Sequence, residues 1–72
     1  MLILVRGGIP DELWAAADVL GCGVVWMYGY ELRVSVLILG HEVESDLMWD
    51  SYEDLVARLR GIKMDAYDKG LI

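Results

Sequence analysis

Residues 24–48 read VVWMYGYELRVSVLILGHEVESDLM, and the alternation within this stretch decides the class of fold. Two Gly-X dipeptides, Gly29-Tyr30 and Gly40-His41, lie eleven residues apart between β-prone runs. Glycine at the first central position suits a type II′ turn, so two hairpins are predicted. Each two-residue turn sets a register. Around Gly40-His41, Ile38 would face Val43, Val36 would face Ser45 and Val34 would face Leu47. Around Gly29-Tyr30, Met27 would face Leu32 and Val25 would face Val34. One face then collects Val25, Met27, Leu32, Val34, Val36, Ile38, Val43, Leu47 and Trp49, with Ser45 its only polar member. The opposite face collects Trp26, Tyr28, Glu31, Arg33, Ser35, Leu37, Leu39, Glu42, Glu44, Asp46 and Met48. A slip of one residue would mix the two sets. Strands are accordingly predicted at 24–28, 31–39 and 42–48.

Upstream, Met1–Arg6 is a short, almost wholly apolar run, consistent with a strand buried on both faces. Gly7-Gly8-Ile9-Pro10 breaks it. Pro10 suits the first position of a helix, and Asp11 and Glu12 sit where a helix dipole favours negative charge. A helix over 10–20 follows, with an apolar stripe of Leu13, Ala16, Ala17 and Leu20 and a stop at Gly21. Downstream, Asp50 is the expected cap of a second helix, with Glu53 at capping-box spacing. Tyr52, Leu55, Val56 and Leu59 form its apolar stripe, and Gly61 is its expected end. Residues 62–64 read as a short strand and 65–69 as a helical turn, with neither reading decided. The expected architecture is a small α+β sandwich in the order β-α-β-β-β-α. Its sheet is mainly antiparallel, both helices pack on one face, and the first crossover is right-handed with a parallel strand pair.

Composition bounds the function. Seventy-two residues make a single domain, 1–72, with a thin stability margin. A hydrophobic content of 57% is too high for a disordered chain. Six Lys and Arg against twelve Asp and Glu leave a net charge of −6. That balance opposes direct binding of nucleic acid or of an anionic membrane surface. No stretch is long and apolar enough for a membrane span, and no signal peptide is read, so a cytoplasmic protein is expected. One cysteine allows neither an internal disulfide nor a cysteine-based zinc site.

Catalytic equipment is sparse. His41 is the single histidine and falls in a predicted turn, without the partner and pocket a general base needs. Cys22 lies between two glycines at the exit of the first helix, the wrong end to activate a thiol. Gly7-Gly8 lacks the lysine of a phosphate-binding loop, and Asp11 and Glu12 would repel a phosphate there. Glu42, Glu44 and Asp46 alternate along a strand as a row, which does not converge on one metal ion. No enzyme, cofactor or metal site is expected.

Charge distribution is the informative feature. Glu42, Glu44, Asp46, Asp50, Glu53 and Asp54 fall within thirteen residues that hold no Lys or Arg, and the rest of the chain is neutral. These six are the candidate partner-binding residues, an acidic surface for a basic partner protein, one that binds nucleic acid in the sharpest reading. Trp26, Tyr28, Leu37, Leu39 and Met48 are the candidate apolar interface on the outward sheet face, where a homodimer would form. The expected role is a non-enzymatic inhibitor or modulator, in its sharpest form a DNA-mimic-like protein. Phage-encoded inhibitors of bacterial defence of the anti-CRISPR type, acting in the host cytoplasm, and bacterial immunity proteins share this profile of size and charge. The competing expectation is a homodimeric structural or regulatory module without inhibitory activity.

Overall fold

A computed structural model describes all 72 residues. It is a small α+β fold of six elements: β1 (Leu2–Arg6), α1 (Asp11–Leu20), β2 (Gly23–Met27), β3 (Arg33–Ile38), β4 (His41–Glu44) and α2 (Tyr52–Asp68). The four strands form one mixed sheet in the order β2-β1-β3-β4. β1 runs parallel to β2 and antiparallel to β3, and β3 is antiparallel to β4.

Strand order is the first departure from expectation. β2 and β3 do not form a hairpin, because β1 lies between them. The connection from Tyr28 to Leu32 instead crosses the end of β1. A Cβ at Gly7 would stand 2.9 Å from the Glu31 carbonyl oxygen, and one at Gly29 would meet the Arg6 stem. Gly29 is therefore there for a close approach, and its φ is not positive. Central placement suits β1, whose Ile3 and Val5 are fully buried on the inner face. Leu2 and Leu4 face the other way and stay partly exposed, so β1 is buried on one face only.

Parity in β2 is reversed as a result. Val5 pairs with Trp26 and Leu4 with Val25, so Trp26 joins the inner, helix-bearing face at the sheet edge. Val25 and Met27 lie on the open face with Leu2, Leu4 and Leu37. The run Val24-Val25-Trp26-Met27 is apolar at both parities, so it carries no register of its own. β3 alternates as expected, with Val34, Val36 and Ile38 buried.

The β3–β4 hairpin forms, with a different turn. Leu39 and Gly40 are its two central residues, both left-handed at φ 52° and 80°. Ile38 consequently faces His41, and Leu37 faces Glu42, whereas Val36 faces Glu44 because Val43 is an extra residue in β4. Farther along, Leu47 N–H donates to the Val34 carbonyl at 2.8 Å, the one expected pairing that survives. The offset is absorbed at Val43 and again near Asp46, which is left-handed at φ 51°. Val43 and Leu32, expected in the core, are exposed.

The helices supply the second layer. Leu13, Ala16, Ala17 and Leu20 of α1 and Leu55 and Leu59 of α2 close on Ile3, Val5, Val34 and Val36. Both helices end in a Schellman arrangement. In α1, Cys22 N–H reaches Ala17 and Gly21 N–H reaches Asp18; in α2, Leu71 N–H reaches Ala66 and Gly70 N–H reaches Tyr67. α2 runs through Gly61, where an end was expected. An interior glycine costs about 1 kcal/mol, but Ile62 and buried Ala66 continue the Leu55–Leu59 stripe and hold the last turns down. Lys63 is on this extension and donates its Nζ to the Leu20 carbonyl at 2.6 Å, closing the C-terminus of α1.

Candidate functional site

Ser51 begins the acidic end of the molecule. It caps α2, its Oγ accepting from Asp54 N–H at 3.1 Å. Asp54 Oδ2 accepts in return from Asp50 N–H and from Arg58 Nε, each at 2.9 Å. The box thus sits one residue later than the expected Asp50–Glu53 spacing, because the serine hydroxyl reaches the free amide and Asp50 is left outside the helix. Arg58 holds the Asp54 carboxyl below the ordinary carboxylate range, with help from the Asp50 amide. The same bond raises Arg58.

An open groove of about 810 Å³ lies between β4 with its following loop and α2. Met48, Ile62 and Leu71 give it apolar surface, over buried Ile38, Leu47 and Ala66. Glu44, Asp46, Asp50 and Asp65 line it together with Arg58 and Lys69, four carboxylates against two cations. Both cations are engaged within the helix, Arg58 by Asp54 and Lys69 by Asp65, each at 2.9 Å. Asp46 stands 3.9 Å from Arg33. Glu44 and Asp50 carry no ion pair.

The six predicted acids are therefore divided. Glu44, Asp46 and Asp50 share the groove, Asp54 lies behind Arg58, and Glu53 is exposed in the first turn of α2. Glu42 is elsewhere. The bulge at Val43 sets Glu42 beside Leu37 and Glu44 beside Val36, neighbours that point to opposite faces of β3. The expected three-carboxylate row does not form. Asp65 belongs to the groove but lies outside the acidic segment; its signal was the continuation of the α2 stripe past Gly61.

The predicted apolar interface is likewise dispersed. Leu37 is on the open face, Trp26 is on the inner face with its indole N–H donating to the Gly7 carbonyl, and Leu39 is in the turn. Tyr28 stacks edge-on against Tyr30 with ring centroids 5.7 Å apart, and Met48 borders the groove. Trp49 Nε1 donates to Glu12 at 2.8 Å and ties the loop before α2 to α1. Burial raises the Cys22 thiol, against the opposing pull of Lys63 and the N-terminus. His41 is exposed beside the turn. No helix is long and apolar enough to cross a membrane. No family model, curated protein or solved structure matches this chain.

Proposed function

We propose that this chain is a non-enzymatic protein-binding module that docks a larger basic partner in the groove between β4 and α2, and thereby inhibits or modulates it. The observation that carries this reading is the pairing of unbridged Glu44 and Asp50 with an apolar floor. Carboxylates without ion pairs attract and orient a cationic surface, and the apolar floor retains it by a contribution that salt does not screen. In its sharpest form the partner is a nucleic-acid-binding protein whose phosphate-contacting side chains are taken up by these carboxylates. The chain would then act as a DNA mimic.

The test is titration of an arginine-rich, nucleic-acid-binding peptide into the protein at low and physiological ionic strength, with duplex DNA as competitor. Binding should weaken with salt, and the protein should displace DNA from the peptide. The double variant Glu44→Lys, Asp50→Lys should weaken binding about tenfold or more, as loss of close charge pairs does. Asp18→Lys with Glu31→Lys, two acids outside both the acidic segment and the groove lining, should do far less. Equal losses from the two pairs would mean that net charge alone acts, and that the acidic segment serves dispersal in water.

A further inference from the structure

The two edges of the sheet are built to different rules. β4 has four residues, carries Glu42 and Glu44, and is bulged at Val43. Shortness, charge and bulging are the devices that keep an edge from pairing with another chain. β2, reading Gly23-Val24-Val25-Trp26-Met27, is nearly as short at five residues but has no charge, no proline and no bulge. Val25, Trp26 and Met27 are 41%, 55% and 42% exposed.

Hydrogen-bond parity shows what this edge offers. Gly23 N–H donates to the Met1 carbonyl at 3.3 Å, and Gly7 N–H donates to the Met27 carbonyl at 3.1 Å. In a parallel ladder every second residue of a strand bonds to its neighbour, so Gly23, Val25 and Met27 face β1. The amides and carbonyls of Val24 and Trp26 point outward, and β2 has no second neighbour to take them.

We propose that β2 is the site where a second copy of this chain adds, strand to strand and antiparallel, about a twofold axis through Val25. In that register Val24 of each copy faces Trp26 of the other. Each pair exchanges both of its N–H···O=C bonds, so all the outward groups of Val24 and Trp26 are satisfied. An axis through Val24 or Trp26 would leave some of them facing residues beyond the strand. Val25 meets its own counterpart on the open face, and the Trp26 ring lies beside Val24 of the second copy on the inner face.

Charge selects the occupant. A chain of net charge −6 repels its copy. The acids of the groove lie along the β4 edge, with β3 and β1 between them and β2. β2 has no ionisable side chain, and its open-face neighbour at Met27 is Arg6. Strand against strand, two acidic copies meet with less repulsion here than at β4, which carries Glu42 and Glu44; the nearest acids on the inner side are those of α1, Asp11, Glu12 and Asp18. The assignment does not rest on the groove.

The experiment is sedimentation equilibrium over a concentration series, joined to amide hydrogen exchange on the unsubstituted chain. The wild type should form a dimer, and the amides of Val24 and Trp26 should gain protection as concentration rises. Val25→Lys sets like charges opposite each other and should raise the dimer dissociation constant about tenfold or more, with unchanged circular dichroism. Val43→Lys, on the other edge, should leave it unchanged. A chain that stays monomeric at millimolar concentration overturns the proposal. So does a dimer dispersed by Leu37→Glu but not by Val25→Lys, which would be packed face to face, and so does a dimer whose Val24 and Trp26 amides gain no protection.

Discussion

The β2 edge and the β4 edge of one sheet meet water with opposite equipment, and the contrast follows from how each strand is attached. β4 is joined to β3 by a two-residue turn, so a strained residue and a bulge adjust it locally. β2 is held at one side by β1, and the chain leaving it must cross the end of that strand over Gly7. The β4 edge can be tuned by substitutions near the turn. The β2 edge depends on a close backbone crossing and on the central strand.

The hardest test of that contrast is Ile3→Ala. Ile3 is fully buried and pairs with Val24 on one side and Val36 on the other. Its truncation should cost about 2–5 kcal/mol in urea denaturation. Hydrogen exchange should quicken in β2 and β3 together, and loss confined to β2 would show that the two edges are uncoupled. Ile3→Val, at about 0.5–1.5 kcal/mol, keeps the comparison readable should the alanine variant not fold.

Gly7→Ala comes next, with an expected loss of about 1–3 kcal/mol. Its φ of 93° and the Glu31 carbonyl 2.9 Å from a built Cβ leave no room for a side chain. Exchange should accelerate first in residues 23–27. An unchanged β2 would mean that the crossing is looser than its geometry implies.

On the other side, Ser51→Ala should cost about 1 kcal/mol by removing the α2 cap, read as a lower urea midpoint. The cap also gives a pH dependence. The folded pKa of Asp54 lies below its ordinary value of 3.8, so its contribution is complete above that value and is lost as pH falls through the folded one. Arg58→Ala should move the Asp54 midpoint back upward in a carboxyl NMR titration. A midpoint unmoved by Arg58→Ala would assign the shift to the Asp50 amide.

The smallest effect is expected at the turn. Leu39 is left-handed at φ 52° and 72% exposed. Leu39→Gly should relieve strain and stabilise the hairpin by up to about 1 kcal/mol, net of the entropy glycine loses. A destabilised variant would mean that the Leu39 side chain makes a contact worth more than its backbone strain.

Much of this chain is determined by local sequence. Pro10, the Leu13–Leu20 stripe and Gly21 are sufficient for α1, because caps, periodicity and stop lie within one short segment. Arg33–Val36 shows its inner face by alternation of polar and apolar residues, which the apolar run Val36–Ile38 carries on without marking, and the spacing of Leu55 and Leu59 shows that of α2. The acidic segment was equally plain, since charge counts need no coordinates. Only the tertiary structure decided the rest. Gly29-Tyr30 and Gly40-His41 look alike in sequence, but one glycine permits a crossing and the other a turn, since a close approach involves a distant partner. VVWM has two apolar faces, so only pairing with β1 could choose between them. Gly61 is a poor helix residue locally, and Ile62 and Ala66 override it by packing. The groove holds Glu44 without Glu42 because a bulge at Val43 separates the two, and it holds Asp65 because α2 runs on past Gly61. Both outcomes depend on contacts between segments far apart in the chain, and no local pattern encodes such contacts.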